Sequence, residues 1–398
     1  MVKMILKIYQ QILRMYVYTF RIKETKILHE SGSSKKVGSI LKRDGFNNVL
    51  IITDNTIKKL GLLSNMIESI KKEKIKYTIY SEVVPNPLIK NVEDAKQIYL
   101  DKKCEAIIAF GGGSVIDCAK IVGVVALTGK KVQRYDHMIP LIPKMTRLYT
   151  VPTTAGTGSE VTISAVISDE KNHKKMSITD KMLAPDYAIL DPELMVGLPK
   201  EITAATGIDA LTHAVEAYVG NWKFKVTDAY AVKAVKKILD NLENAYKDGK
   251  DINARSEMAI GATYGGYAFR TAGVGYVHAI AHRLSELYRV PHGLANAIVL
   301  PHVLRYSFDK IYIKLADLCE KIGIAEKVKS KKEVAMSFIE RIEKLNENLA
   351  IPKFVEQIKD KHIDMIAKRA INEANSTYPV PYIMNRKEME RFIRTIMK

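Results

Sequence analysis

Asp209-x-x-x-His213, and much later His278-x-x-x-His282 followed by His292, supply one carboxylate and several imidazoles at helical spacing. Residues i and i+4 share a helix face, so each pair can aim at one point. Four of the nine histidines (278, 282, 292 and 302) fall within 25 residues, a density that scatter rarely produces. Three imidazoles with a carboxylate suit Fe(II) or Zn(II) and disfavour calcium, which takes oxygen ligands. Any one of these histidines alone reads as a core or surface residue; together they read as a metal site. The spacing is not H-E-x-x-H, which argues against a zincin protease.

A second signal lies upstream. Gly111-Gly112-Gly113-Ser114 follows an apolar run and precedes a helical pattern. Glycines there let the backbone approach a phosphate, and the first amides of the next helix point at the anion. Ser114 can cap that helix or donate to an oxygen. The bland alternative is a tight turn, but three consecutive glycines exceed what a turn needs. The run is neither G-x-G-x-x-G nor a Walker loop. A further loop, Pro152-Thr153-Thr154-Ala155-Gly156-Thr157-Gly158-Ser159-Glu160, suits a sugar-phosphate or nicotinamide ring, or is a plain polar loop. Asp54 ends a strand, where an acid can bind the ribose hydroxyls of NAD and repel a 2′-phosphate. It can equally be a helix N-cap. A metal that polarises a substrate oxygen, placed beside a nicotinamide, supports hydride transfer.

The elements that must position these residues alternate in the first half. Strands are predicted at 49–53, 77–80, 106–110 and 148–151, with helices over 57–70, 92–100 and 114–127. Pro85-Asn86-Pro87 is a turn. This alternation predicts a parallel sheet with helices on its faces. Extended segments follow at 161–168 and 174–178, around a polar turn from Asp169 to His173, with a short strand at 188–190. Beyond about Ile202 long helical patterns dominate, at 204–218, 227–245, 254–267 and 332–349. We therefore divide the chain into an N-terminal extension (1–25), an α/β dinucleotide-binding domain (26–199) and an all-helical metal-binding domain (200–398). The boundary falls at Leu198-Pro199. No internal repeat or low-complexity tract is evident.

Composition bounds the remaining choices. The 398 residues suffice for two domains, and 47% hydrophobic content excludes a wholly disordered chain. Cys104, Cys118 and Cys319 have no paired spacing, which suggests a reducing compartment, the cytoplasm. A formal charge of +18 could mark a nucleic-acid or anionic-membrane partner. The lysines are scattered without a basic-aromatic run, so a solvated surface that also attracts an anionic cofactor is the better reading, and no nucleic acid is expected. At the N-terminus Ile5, Ile8, Tyr9, Ile12, Leu13 and Tyr16 fall on one helical face. That face could lie on a membrane, contact another subunit or pack on its own domain; the last two are favoured. The uncharged run is too short to span a membrane, and no cleavage site follows it.

These motifs together are similar to those of the iron-containing (group III) alcohol dehydrogenases, from about Lys26 onward. The specific pieces are Phe110 to Asp117, Pro152 to Glu160, Ala205 to Ala214, His278 to His282 and Pro291-His292-Gly293. The resemblance implies an α/β dinucleotide-binding domain, an all-helical domain and an active site in the cleft between them. It implies metal ligands Asp209, His213, His278 and His292, with His282 unligated near the substrate as a proton-relay group. It places the pyrophosphate on Gly111, Gly112, Gly113 and Ser114, and the adenosine ribose on Asp54, favouring NAD. Asn86, Thr153, Thr154, Thr157 and Lys175 match cofactor-contacting positions, and Phe269 a pocket aromatic. The implied reaction is hydride transfer between the carbinol carbon of an alcohol and nicotinamide C4, with Fe(II), or Zn(II), and a homo-oligomeric enzyme.

Two departures stand out. Many members carry a glycine-asparagine-proline-arginine segment near the pocket; here the stretch is Tyr378-Pro379-Val380-Pro381-Tyr382, so substrate preference does not carry over. The first 25 residues extend beyond the usual start. Within the same fold group a zinc-dependent glycerol or polyol dehydrogenase is the alternative, distinguished by a missing ligand position. A cyclase of the dehydroquinate-synthase type lacks its basic cluster here. A non-catalytic basic protein on nucleic acid or membrane would leave the ligand set and glycine cradle unexplained.

Overall fold

Short aliphatic runs such as NVLII and AIIAFG become buried strands because helices cover both of their faces. The computed structural model describes residues 6, 10, 11, 14, 15, 22–136, 141–172, 174–325 and 329–398. It divides into two units. One comprises Arg21–Gly197 with Lys250–Thr263; the other comprises Met1–Phe20, Leu198–Gly249 and Tyr264–Lys398.

The first unit is built on a six-stranded sheet. Its strands are β1 (Lys26–His29), β2 (Asn48–Ile52), β3 (Lys76–Tyr80), β4 (Ala106–Gly111), β5 (Arg147–Pro152) and β8 (Tyr187–Leu190). The order is β1-β8-β5-β4-β2-β3, and every pairing is parallel. Between β5 and β8 runs an antiparallel hairpin of β6 (Ser164–Asp169) and β7 (Lys174–Thr179). Its turn is closed by Asp169, which accepts from the amides of Lys171 and Asn172. His173 lies outside the described residues. The crossover helices are α1 (Val37–Arg43), α2 (Asn55–Lys59), α3 (Ser64–Lys72), α4 (Ile89–Asp101) and α5 (Gly113–Thr128).

Alternation along the strands makes two cores. Leu50, Ile52, Ile107 and Ala109 face α4, α5 and the hairpin, whereas Val49, Ile51, Ala106 and Ile108 face α1 and α3. The expected single helix over 57–70 is two helices, because Gly61 turns left-handed (φ +70°) between α2 and α3. Strand β1 carries no periodic signal; it is a short edge strand of mixed exposure. The strand order reverses at β2. Its successor β3 lies on one side and β4 on the other, a topological switch point of the kind whose carboxyl strand ends bind ligands in open α/β sheets.

Among the described residues the second unit is helical, with one isolated bridge, Val355 to Met397. Its helices are α6 (Lys200–Val219), α7 (Lys225–Lys247), the later part of α8 (Ile252–Ala272), α9 (Tyr276–Tyr288), α10 (His292–Tyr306), α11 (Phe308–Ile322), α12 (Lys331–Asn348), α13 (Asp360–Thr377) and α14 (Arg386–Thr395). Most of α6 is buried, as its apolar composition demands. Gly207 lets α7 approach closely, since a Cβ there would sit 2.3 Å from Leu242 Cδ1. Near the N-terminus the buried Gln10 amide donates to the carbonyls of Asn375 (3.1 Å) and Tyr378 (2.9 Å). Arg14 donates to the Lys223 carbonyl and lies over the Phe224 ring. The face formed by Ile5, Ile8, Tyr9, Ile12, Leu13 and Tyr16 lies outside the described residues. Among the described residues no helix is long and apolar enough to cross a membrane.

Candidate functional site

Three helices of the helical unit bring the metal candidates together. Asp209 sits mid-way along α6, His278 in the first turn of α9 and His292 at the first residue of α10. Their donor atoms lie within 4.8 Å of one another. His278 Nε2 and His292 Nε2 are each 3.7 Å from Asp209 Oδ1. Asn296, one turn along α10 from His292, donates to the same oxygen at 2.6 Å. Burial pushes the Asp209 carboxyl up, but His213, His292, His278 and Asn296 more than offset it and hold it below its ordinary range.

The His278 ring is fixed by a residue that the sequence did not single out. Glu216 lies on the same face of α6, two turns beyond Asp209. Its Oε2 is 2.6 Å from His278 Nδ1 and accepts from the Gly275 amide at 2.9 Å; its Oε1 accepts from the Val277 amide at 2.8 Å. One carboxylate thus ties down both the N-terminus of α9 and the imidazole. Burial pushes Glu216 up to about 7, against those amide donors and His213. Burial, and next His213, push His278 well below its ordinary value despite Asp209, so it is a neutral imidazole. With Nδ1 engaged, His278 Nε2 is buried and has no hydrogen-bond partner among the described residues. A buried imidazole nitrogen without a partner, facing a carboxylate and a second imidazole, fits a divalent metal of the N/O-ligated kind.

His213 is not in that three-residue group. Its ring stacks on Phe269 (centroids 4.1 Å apart) and on His278 (4.5 Å). His282, one turn after His278, stacks on His292 at 5.2 Å and bonds through Nδ1 to Glu373 Oε1 at 2.6 Å. His302 is turned away, bonded to the Lys353 carbonyl. Glu216 continues the Asp209/His213 periodicity by one more turn, but nothing in the sequence sets it apart from any other acid on a helix. Glu373, ninety-one residues from His282, had no local signal.

The cofactor candidates lie at the carboxyl edge of the sheet in the α/β unit. Gly111 pairs with Pro152 in the β4–β5 register, so the glycine run and the Thr153–Ser159 loop leave the sheet side by side. The Thr153 amide donates to the Gly111 carbonyl at 3.2 Å. A Cβ on Gly113 would come within 2.7 Å of Thr157 Cγ2, and one on Gly112 within 3.4 Å of Thr154 Oγ1. Gly113 therefore serves the packing of loop on loop as well as any approach by a phosphate, whereas a Cβ on Gly112 would make only ordinary contact. Gly112, not Ser114, is the N-cap of α5, so of the two roles open to Ser114 capping is not the one it takes. Its hydroxyl instead accepts from the Asn86 amide (3.3 Å). Asn86, left-handed at φ 56°, accepts in turn from Lys175 Nζ at 2.8 Å. Asp54 caps α2, its Oδ1 accepting from the Ile57 amide at 2.9 Å.

Beneath the second loop lies a buried ammonium. Lys120 Nζ, on α5, donates to Ser159 Oγ, to Thr162 O and Oγ1, and to Ser164 O at 2.8–3.2 Å. Asp117 accepts from Ser159 Oγ at 2.5 Å and from the Val166 amide at 2.9 Å. Burial pushes Lys120 down to about 8, opposed by Asp117 and Glu160.

Sequence models of two family segments match the chain: "iron-containing alcohol dehydrogenase" over residues 24–192, and the C-terminal segment of the Fe-containing alcohol dehydrogenase family over 203–397. Alcohol dehydrogenase 4 of Schizosaccharomyces pombe is 37% identical over 358 residues, 89% of this chain and 83% of that protein. The chain belongs to the iron-containing alcohol dehydrogenase family. The NAD-dependent methanol dehydrogenase of Bacillus methanolicus is 34% identical across 92% of this chain and 96% of its own. A crystal structure of 1,3-propanediol oxidoreductase superposes with a TM-score of 0.90 at 33% identity, covering 95% of this chain and 100% of that one. Within this iron-containing alcohol dehydrogenase, the cradle residues Asp54 to Lys175 fall in the first matched segment. The cluster from Asp209 to His292 falls in the second.

Proposed function

We propose that this alcohol dehydrogenase is metal-dependent and NAD(H)-linked, and that it interconverts a small alcohol and its aldehyde by hydride transfer to or from nicotinamide C4. The convergence of Asp209, His278 and His292, with His278 Nε2 buried and unbonded, carries the reading. Asp209, His278 and His292 hold the metal, with His213 as the fourth ligand. The ion is Fe(II), or Zn(II), since both accept this donor set. When bound, it supplies Lewis acidity at the substrate oxygen. A zinc polyol dehydrogenase is disfavoured because all four ligand positions are occupied by ligating residue types.

The amides at Gly112, Gly113 and Ser114 bind the pyrophosphate at the helix N-terminus. Gly111 keeps the turn tight. Asp54 has one carboxylate oxygen engaged in the cap and uses the other for the adenosine ribose, which favours NAD over NADP. Thr153, Thr154 and Thr157 orient the nicotinamide half, with Asn86 and Lys175 along the same edge. Phe269 walls the substrate pocket beside His213, and His282 handles the proton. Cys104, Cys118 and Cys319, all buried thiols, suit a reducing cytoplasm, and the family likeness favours a homo-oligomer.

The test is NADH oxidation with a panel of short aldehydes, using protein reloaded anaerobically with Fe(II) or Zn(II), beside Asp209→Ala. Metal-dependent turnover that the variant loses, by more than about a hundredfold, is expected, since even outer-shell changes cost 10 to 100-fold. Equal turnover in metal-free protein or in the variant would refute the metal assignment.

A further inference from the structure

Two histidines one turn apart on α9 each give Nδ1 to a buried or half-buried glutamate. On His278 the partner is Glu216, and Nε2 is the atom aimed at the metal. On His282 the partner is Glu373 of α13, and the surroundings differ. Glu373 Oε1 also accepts from the Tyr378 hydroxyl at 2.6 Å, and Oε2 accepts from the Arg283 guanidinium at 3.0 Å. Arg283 is itself held by Glu286 at 2.8 Å. A carboxylate facing a guanidinium is ionised and can only accept. The proton in the His282–Glu373 bond therefore belongs to Nδ1, and Nε2 is the ring nitrogen left outside that bond. The His282 side chain is 27% exposed, and Nε2 has no hydrogen bond among the described residues. Glu373 is not among the three residues whose donor atoms converge with Asp209; it, Tyr378 and Arg283 bond to one another and to His282.

We propose that Glu373, braced by Tyr378 and Arg283, is a positioning residue: it holds the Nδ1–H of His282 and so orients the ring with Nε2 toward the proton that is exchanged as alcohol and aldehyde interconvert. This rests on the reading of His282 as the proton-handling group. It gives Tyr378, the first residue of the stretch that departs from the family pattern, a defined role. A carboxylate that sets the tautomer of a catalytic imidazole matters because the wrong tautomer presents N–H where a lone pair is needed.

The test uses the full-length Zn(II)-loaded protein with ¹⁵N-labelled histidine, and long-range ¹H–¹⁵N spectra that separate protonated from unprotonated ring nitrogens. His282→Asn assigns the His282 signals. Wild-type His282 is expected to show a protonated Nδ1 and an unprotonated Nε2. In Glu373→Gln the tautomer is expected to shift toward Nε2–H, and aldehyde-reduction kcat to fall about 10 to 100-fold, while zinc content and NADH affinity hold. Glu373→Asp should recover part of the loss. Tyr378→Phe, which removes one hydroxyl, should lose a few-fold and serves if Glu373→Gln does not fold. A wild-type Nε2–H tautomer, or a tautomer unmoved in both Glu373→Gln and Tyr378→Phe, would overturn the proposal. Full turnover in His282→Asn beside the expected tautomer shift would leave the positioning in place and sink only the reading of His282 as the proton group.

Discussion

The cradle at the carboxyl edge of the sheet and the pocket among α6, α9 and α10 solve opposite problems. The cradle works through backbone. Its glycines admit a neighbouring loop and expose amides, and the Thr157 side chain fills the space a Cβ on Gly113 would need. The pocket works through side chains. Its ligand atoms are set by helical spacing and by a carboxylate, Glu216, behind the His278 ring. Close packing is sensitive to volume, whereas a buried ligand set is sensitive to charge and hydrogen bonding. The contrast is not complete, because a buried charge, Lys120, also underlies the cradle's second loop.

That exception gives the largest expected effect. Lys120→Met leaves Asp117 buried without its cation and should destabilise the fold by about 3–5 kcal/mol in urea denaturation. The pH dependence sharpens it. Burial places Lys120 at about 8 in the fold against 10.5 for the ordinary side chain. Across that window the unfolded chain binds more protons, so this group's contribution to stability rises with pH and is flat below about 8. The stability gap between wild type and Lys120→Met should therefore widen from pH 8 toward pH 10. A gap that narrows would contradict the sign.

On the pocket side, Glu216→Gln keeps the volume and removes the charge behind His278. Metal affinity should fall about 10 to 100-fold, read by competition with a chelating dye, with NADH affinity unchanged. Gly113→Ala should do the reverse. It should weaken NADH binding by about tenfold and cost about 1–3 kcal/mol from overpacking, with metal affinity intact. Adding Thr157→Ala, which removes the two atoms a Cβ would meet at 2.7 and 2.8 Å, should restore much of the stability. The smallest effect is at Asp54. Its replacement by Ala should cost about 1 kcal/mol through the lost α2 cap and narrow the preference for NADH over NADPH.

The two regions also differ in how far the sequence betrays them. Strand–helix alternation made the parallel sheet readable, and the Gly111–Ser114 run lay at the expected strand end. The edge strand β1 was not readable, since its burial comes from one neighbour, β8, distant in the chain. The break at Gly61 was visible as a glycine but not as a helix end, because an isolated glycine is tolerated in helices. In the pocket the ligand candidates were legible as i, i+4 pairs. Their supports were not. Glu216 reads as one more acid on a helix, and Glu373 meets His282 only once α13 packs on α9. Lys120 was hidden for the same reason: a lysine's default is the surface, and only the fold supplies its four acceptor atoms.

Deuterium transfer tests the central claim most directly. Protein loaded with Fe(II) or Zn(II) is given NADH deuterated at nicotinamide C4, in the transferred position, and a short aldehyde in ordinary water; the alcohol formed is read by mass spectrometry. The account predicts one deuterium on the carbinol carbon, formed only with metal and lost in Asp209→Ala. Alcohol that carries solvent hydrogen instead, or deuterium transfer that persists without metal, would contradict it.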